Sequence, residues 1–147
     1  MTEPAGELRA RALRLLARRE HAASELARKL VGRGFDRAAV DEVLAQLAAE
    51  GLLDENRYAE ALVRSRAEHG YGPLRIRAEL AARGVEAGVV AAALDATQVN
   101  WRELAAAARR KRFGPEPPAD LRARAKQLRF LQRRGFDGAD IRAVVHV

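Results

Sequence analysis

One pattern in this chain constrains the fold more than any other, because it occurs three times. Residues 24–35, 74–85 and 125–136 align with each other, and their glycines fall at Gly34, Gly84 and Gly135, a period of 50 and then 51 residues. Four residues before each glycine stands a leucine (Leu30, Leu80, Leu131). One residue before it stands an arginine (Arg33, Arg83, Arg134), and one after it an apolar residue (Phe35, Val85, Phe136). Six after it comes a β-branched residue: Val40, Val90 or Ile141. A period of this size is the signature of stacked modules, each too small to bury both of its faces alone.

Each module reads as three helices. Leu8–Arg19 turns Ala12, Leu13 and Leu16 to one side, and Ala23–Val31 places Leu26 and Leu30 one turn apart. After Asp36, the residues Val40, Val43, Leu44 and Leu47 follow the i, i+3, i+4, i+7 spacing of an amphipathic helix. Asp36, Asp54 and Asp137 are predicted N-caps, whose carboxylates accept free backbone N–H groups at a helix start. Gly34, Gly84 and Gly135 are predicted C-caps, where the missing Cβ admits the left-handed conformation. Pro73 fits the first position of a helix after the turn His69–Gly70–Tyr71–Gly72. Three prolines in Gly114–Pro115–Glu116–Pro117–Pro118 require a loop, and Asp120 caps a long basic helix beyond it. No stretch alternates with period two. The expectation is an all-α chain of three tandem three-helix repeats, 1–50, 51–99 and 100–147, forming an elongated or curved array, with a single compact bundle as the alternative.

Charge separates the modules that architecture makes alike. The net charge is +7. Residues 1–50 hold 9 basic and 8 acidic side chains, residues 51–100 hold 6 and 7, and residues 101–147 hold 12 and 5. The whole excess lies in the last third, which points to a polyanion or an acidic protein as partner; a solvated helix face is the ordinary alternative. Two basic groups stand out. Arg64, Arg66, Arg75 and Arg77 flank the Gly70–Pro73 turn. Arg109, Arg110, Lys111 and Arg112 end one helix, and Arg122, Lys126, Arg129 and Arg133 recur at intervals of 4, 3 and 4 on the next. That spacing predicts one cationic stripe, opposite Leu121, Ala125, Leu128 and Leu131 at least in part. Trp101, Tyr71 and Phe113 could stack on bases, or pack as core and turn residues.

Chemistry of other kinds finds no support. The chain has no cysteine, which excludes disulfides and thiolate sites and suits a reducing cytosol. His21, His69 and His146 lie far apart with no i, i+4 partner, so no metal site is expected. Gly70–Tyr71–Gly72 lacks the third glycine and preceding strand of a dinucleotide loop. Ser24 and Ser65 stand outside any nucleophile elbow. The pair Asp54–Glu55 is explained by the helix dipole. No cofactor is expected. No apolar run approaches the roughly 20 residues of a membrane span, and Met1–Gly6 lacks the apolar stretch of a leader.

Several separated segments then become familiar in order. Gly51–Leu52–Leu53–Asp54–Glu55–Asn56–Arg57–Tyr58 precedes Gly70–Tyr71–Gly72–Pro73–Leu74–Arg75–Ile76–Arg77–Ala78–Glu79–Leu80. Trp101–Arg102–Glu103–Leu104–Ala105, Phe113–Gly114 and Arg129–Phe130–Leu131–Gln132–Arg133–Arg134–Gly135–Phe136 follow. Together they resemble the RecX family over roughly residues 8–146. The resemblance implies three three-helix repeats and a cytoplasmic regulatory role without catalysis: binding in the groove of the RecA–DNA filament, blocking its extension or promoting its disassembly, and so suppressing ATP hydrolysis, strand exchange and co-protease activity in DNA repair and the SOS response. It also implies binding to DNA, and a monomer is expected. One departure is Ala22, where family members often carry a capping Ser or Thr; losing that cap costs about 1 kcal/mol unless Ser24 substitutes. A helical DNA-binding module without a recombinase, and an adaptor for another protein, remain the competing readings.

Overall fold

The computed structural model describes residues 4–146. Residues 1–3 and 147, which include part of the segment read for a leader and the outer ends of the first and third repeats, lie outside the described residues. Nine helices follow one another with no strand among the described residues. The first triplet is α1 (Pro4–Arg18), α2 (Ala23–Gly32) and α3 (Arg37–Ala49). The second is α4 (Glu55–Glu68), α5 (Pro73–Ala82) and α6 (Ala87–Ala96). The third is α7 (Trp101–Phe113), α8 (Leu121–Arg134) and α9 (Gly138–Val144). No helix among the described residues is long and apolar enough to cross a membrane.

Each triplet closes around its own core, which removes the single-bundle alternative. Leu8, Leu26, Leu30, Val40 and Leu47 fill the first, and Val63, Ile76, Leu80 and Val90 fill the second. Ala105, Leu131, Phe136, Ile141 and Val145 fill the third. The repeated leucine is central in each: Leu30, Leu80 and Leu131 are all fully buried. Truncating a leucine in such a site costs about 2–5 kcal/mol, and a core this small cannot absorb that. Trp101 packs against both the second and third cores, and Leu53 packs into the first from beyond residue 50.

The repeated leucine–x–x–arginine–glycine–apolar pattern is a Schellman helix end. In α2 the Phe35 N–H reaches back to the Leu30 carbonyl and the Gly34 N–H to Val31. The same pair of bonds recurs from Val85 to Leu80 and Gly84 to Ala81, and from Phe136 to Leu131 and Gly135 to Gln132. This geometry places the leucine beside the apolar residue after the glycine. It also requires positive φ, which is +97° at Gly34, +80° at Gly84 and +92° at Gly135. At the starts, Asp36 accepts the Ala39 N–H, Asp54 those of Asn56 and Arg57, and Asp137 that of Ala139.

The repeats join through their second helices, end to end. The N–H groups of Gly72 and Leu74 at the start of α5 donate to the carbonyls of Arg134 (2.7 Å) and Gly135 (2.9 Å) at the end of α8. At the other joint, the Ser24 hydroxyl at the start of α2 donates to the Arg83 carbonyl at the end of α5. Arg83 and Arg134 are equivalent positions, so the same carbonyl accepts in both joints. Helix starts therefore meet helix ends, an alignment that pairs partial positive with partial negative charge. The column α8, α5, α2 forms the spine of an extended array.

The joint also shows how α2 starts: Ala22 forfeits its side-chain cap as the sequence indicates, but the cap is supplied from elsewhere. Ala22 is the N-cap residue of α2 and makes no side-chain cap. It is 1% exposed and packs in the second core. Ser24 does not replace the cap, because its hydroxyl is spent on Arg83. Instead Glu55, from the next repeat, accepts the Ala23 N–H at 2.6 Å. The Asp54–Glu55 pair is thus divided: Asp54 caps its own helix, and Glu55 caps a helix of the preceding repeat.

Candidate functional site

The basic stripe lies on α8, and local structure explains why that helix is firmly placed. Asp120 accepts the Ala123 N–H at 2.8 Å to start it. Buried Gln127 accepts from the Arg109 guanidinium at 3.2 Å, and Arg109 also reaches the carbonyls of Glu116 and Pro115. Arg109 therefore pins the proline loop against α8 rather than facing solvent freely. On the outer side, Arg122, Lys126, Arg129 and Arg133 are all exposed. With Asp120 and Ala123 they line one open face. None of the four takes part in an ion pair among the described residues. The span from Arg122 to Arg133 is about 16 Å at 1.5 Å per residue. Gln127 and Leu131 are buried on the opposite side, but Leu121, placed there by the sequence pattern, is 75% exposed. The reason is positional: Leu121 is the first residue of α8, beyond the reach of the third core.

Arg110, Lys111 and Arg112 are exposed in the last turn of α7, where the helix dipole favours cations. Arg64 on α4 and Arg77 on α5 are exposed as well. The remaining two of the predicted group are engaged. Arg66 makes a two-pronged pair with Glu79 (2.8 and 2.6 Å), and Arg83 approaches the same carboxylate at 2.9 Å. Those hydrogen bonds to Arg66, aided by the charges of Arg66, Arg83 and Arg75, outweigh burial and hold the Glu79 carboxyl below its ordinary range. Arg75 lies over the Tyr71 ring at 4.1 Å.

Arg134 lies outside the group expected to meet a partner, yet it organises the second joint. Its guanidinium sits between the rings of Tyr71 (4.9 Å) and Phe130 (5.2 Å) and donates to the His69 carbonyl at 3.2 Å. The signal is present in the sequence, since an arginine precedes the glycine in all three repeats. Its effect on the aromatic residues is direct. Tyr71 is covered by Arg75 and Arg134, Phe113 by Arg112 (5.1 Å), and Phe130 by Arg134, with the Phe113 and Phe130 rings perpendicular at 5.4 Å. Trp101 packs between two cores. Faces already occupied by cations leave these rings little surface for stacking.

A second polar cluster supports the first joint. His21 is 1% exposed. Its Nδ1 lies 3.0 Å from the Arg19 carbonyl and its Nε2 3.0 Å from Lys29 Nζ. Burial, with the charges of Arg19 and Lys29, lowers its pKa and keeps the ring neutral. Beside it, burial opposes ionisation of Glu25, but the paired hydrogen bonds from Arg19 (2.6 and 3.1 Å) prevail and bring it to about 2.

Comparison with known proteins accounts for the architecture. The family models described as RecX, first, second and third three-helix domain match residues 9–47, 54–94 and 102–145. "Regulatory protein RecX" of Halorhodospira halophila (strain DSM 244 / SL1) is 54% identical over 132 residues, covering 90% of this chain and 82% of that protein. "Regulatory protein RecX" of Stenotrophomonas maltophilia (strain K279a) is 48% identical over 132 residues, covering 90% and 81%. Among solved structures, RecX from Lactobacillus salivarius superposes with a TM-score of 0.80 at 20% identity, covering 96% of this chain and 94% of that one. A second crystal structure of regulatory protein RecX gives 0.78 at 22% identity, covering 96% and 71%. With one matched domain for each helical triplet and relatives that are named regulatory proteins, this chain belongs to the RecX family.

Proposed function

We propose that this chain binds the filament that the recombinase RecA forms on DNA and restrains its growth, and with it ATP hydrolysis, strand exchange and co-protease activity. In this reading the protein is a cytoplasmic monomer with no catalytic activity of its own, and its repeats 1–50, 51–99 and 100–147 act as one extended binding blade. The observation that carries the reading is the unpaired cationic face of α8, Arg122, Lys126, Arg129 and Arg133, on a RecX-family scaffold. It would follow the phosphate backbone without regard to base sequence, with Arg64, Arg77, Arg110, Lys111 and Arg112 extending the surface. Arg66, Arg75 and Arg109 would shape that surface rather than touch the partner, since each already has an internal one.

RecA-dependent ATP hydrolysis on single-stranded DNA, with and without this protein, tests the regulatory reading. Inhibition at substoichiometric ratios supports it. An effect only when the DNA is fully coated would favour a DNA-binding module that needs no recombinase. Replacing all four stripe residues with Ala is expected to reduce the slope of log affinity against log salt on duplex DNA by about 3 to 4, at roughly 0.9 for each phosphate that is no longer neutralised. An unchanged slope would remove the stripe from the interface.

A further inference from the structure

A second surface lies across the joint between the second and third repeats and differs in character from the stripe. Ala67, Glu68, His69 and Gly70 at the end of α4 form one wall. Leu104, Ala107, Ala108, Lys111 and Arg112 of α7 form the floor and far side, and Phe130 and Arg134 of α8 close it. Leu104, Ala107, Ala108 and Lys111 keep the i, i+3, i+4, i+7 spacing; Leu104 and Ala108 also pack against the third core, so this stripe of α7 is the core's outer margin, with Ala107 and Lys111 exposed beside it. The floor runs about 10 Å, two helical turns. At about 100° per residue, Phe130 and Arg134 stand roughly a quarter turn around α8 from Arg122, Lys126, Arg129 and Arg133. The groove and the stripe are therefore adjacent but distinct faces.

We infer that this groove receives an acidic amphipathic helix of a protein partner. Its rim carries Lys111 and Arg112 against the single carboxylate of Glu68, with Arg134 held internally by Tyr71, Phe130 and the His69 carbonyl, so its free charge is positive and favours an occupant of negative charge. Its floor of alanines and one leucine admits close approach of another helix and offers a place for apolar anchors, the arrangement of helix-in-groove recognition. A nucleic acid could use the rim, but the groove offers it no stacking platform: Leu104, Ala107 and Ala108 of the floor carry no ring, and the Phe130 ring already has Arg134 over it and Phe113 against it. The inference rests on the regulatory reading above and deepens it by dividing the labour: the α8 stripe meets phosphate and the groove meets protein, with Lys111 and Arg112 on the edge that the two surfaces share.

The test uses the full chain against two ligands, RecA filaments assembled on single-stranded DNA and a bare DNA duplex. Ala107 and Glu68 are both exposed, so substitution at either leaves the cores intact. Ala107→Gln fills the floor without changing charge and is expected to weaken filament binding by roughly tenfold while leaving duplex binding alone. Glu68→Lys is expected to tighten filament binding several-fold at low salt, with the gain vanishing at high salt. Wild-type binding to filaments that neither substitution alters would overturn the groove. Equal weakening on filament and duplex with Ala107→Gln would make it a nucleic-acid surface and overturn it too. A wild-type protein that binds no filament at all would instead sink the regulatory reading.

Discussion

The three Schellman glycines offer an internal experiment on how the repeats are joined. All three have the same backbone conformation, with φ of +97°, +80° and +92°, so replacement by Ala brings the same left-handed strain, about 1–2 kcal/mol. Their surroundings differ. A Cβ on Gly34 meets nothing within 4 Å, and one on Gly84 meets only the Ser24 side chain, its hydroxyl at 3.5 Å, an ordinary distance. A Cβ on Gly135 would lie 2.6 Å from the backbone nitrogen of Arg75, and backbone cannot rotate away. Relief requires α5 to lift from α8. That forfeits the Gly72 and Leu74 hydrogen bonds, about 1 kcal/mol each, or else incurs an overpacking cost of about 1–3 kcal/mol. Gly34→Ala and Gly84→Ala are thus expected to destabilise by about 1–2 kcal/mol, and Gly135→Ala by about 2–3 kcal/mol more. Urea unfolding of the three variants measures the ordering. Native-state hydrogen exchange at the Gly72 and Leu74 amides shows whether the extra destabilisation lies in the joint, which matters because repeat arrays need not unfold in one step. Equal destabilisation by all three substitutions would refute the backbone joint as described.

Two further perturbations address the first joint. Glu55→Ala removes the cap that the second repeat lends to α2 and is expected to cost about 1–2 kcal/mol, with faster exchange of the Ala23 amide while the amides of α8 stay protected. His21, which faces the Arg19 carbonyl, Lys29 and Glu25, should give stability a pH dependence. Its folded pKa lies below the ordinary 6.5, so the unfolded chain binds the proton more readily. The stabilisation is complete above about pH 6.5 and is lost as pH falls through the lowered folded value. Thermal melting between pH 7 and 5 should show this decline, and His21→Gln should flatten it. A decline of the same size in His21→Gln would assign it elsewhere. Glu25 does not contribute there, since its titration runs between about 4.3 and about 2.

Much of this was legible in the chain because helix ends have local causes. Asp36, Asp54, Asp120 and Asp137 cap helices through bonds to N–H groups two or three residues ahead, and no distant residue is needed. The stripe on α8 was legible for the same reason: four cations at intervals of 4, 3 and 4 share a face of any helix, whatever surrounds it. Leu121 broke the pattern because burial depends on where the core ends, and period alone does not carry that. Ala22 was harder. As a sequence feature it is a missing cap, and its value emerges only when the second repeat packs over it and Glu55 arrives from 32 residues beyond Ala23.

What the sequence determined by itself is the module: its repeat period, its three helices with their caps, most of its core positions and the concentration of positive charge in the third copy, although α1 begins at Pro4, a turn ahead of the expected Leu8. Each of these rests on interactions within a few turns of chain or on the type of residue present. What only the tertiary structure decided is the joining of the modules and the fate of each arginine. The joint between α8 and α5 is made by peptide N–H and C=O groups, which every residue but proline carries and which therefore leave little trace in side-chain identity beyond Gly72 and Gly135 where the backbones touch. Arg64 and Arg66 are two residues apart and chemically identical. One points to solvent and the other is bound to Glu79, because a carboxylate on α5 lies across from only one of them. Proximity in space selects between equal residues, and that selection separates the surface open to a partner from the scaffold that holds it.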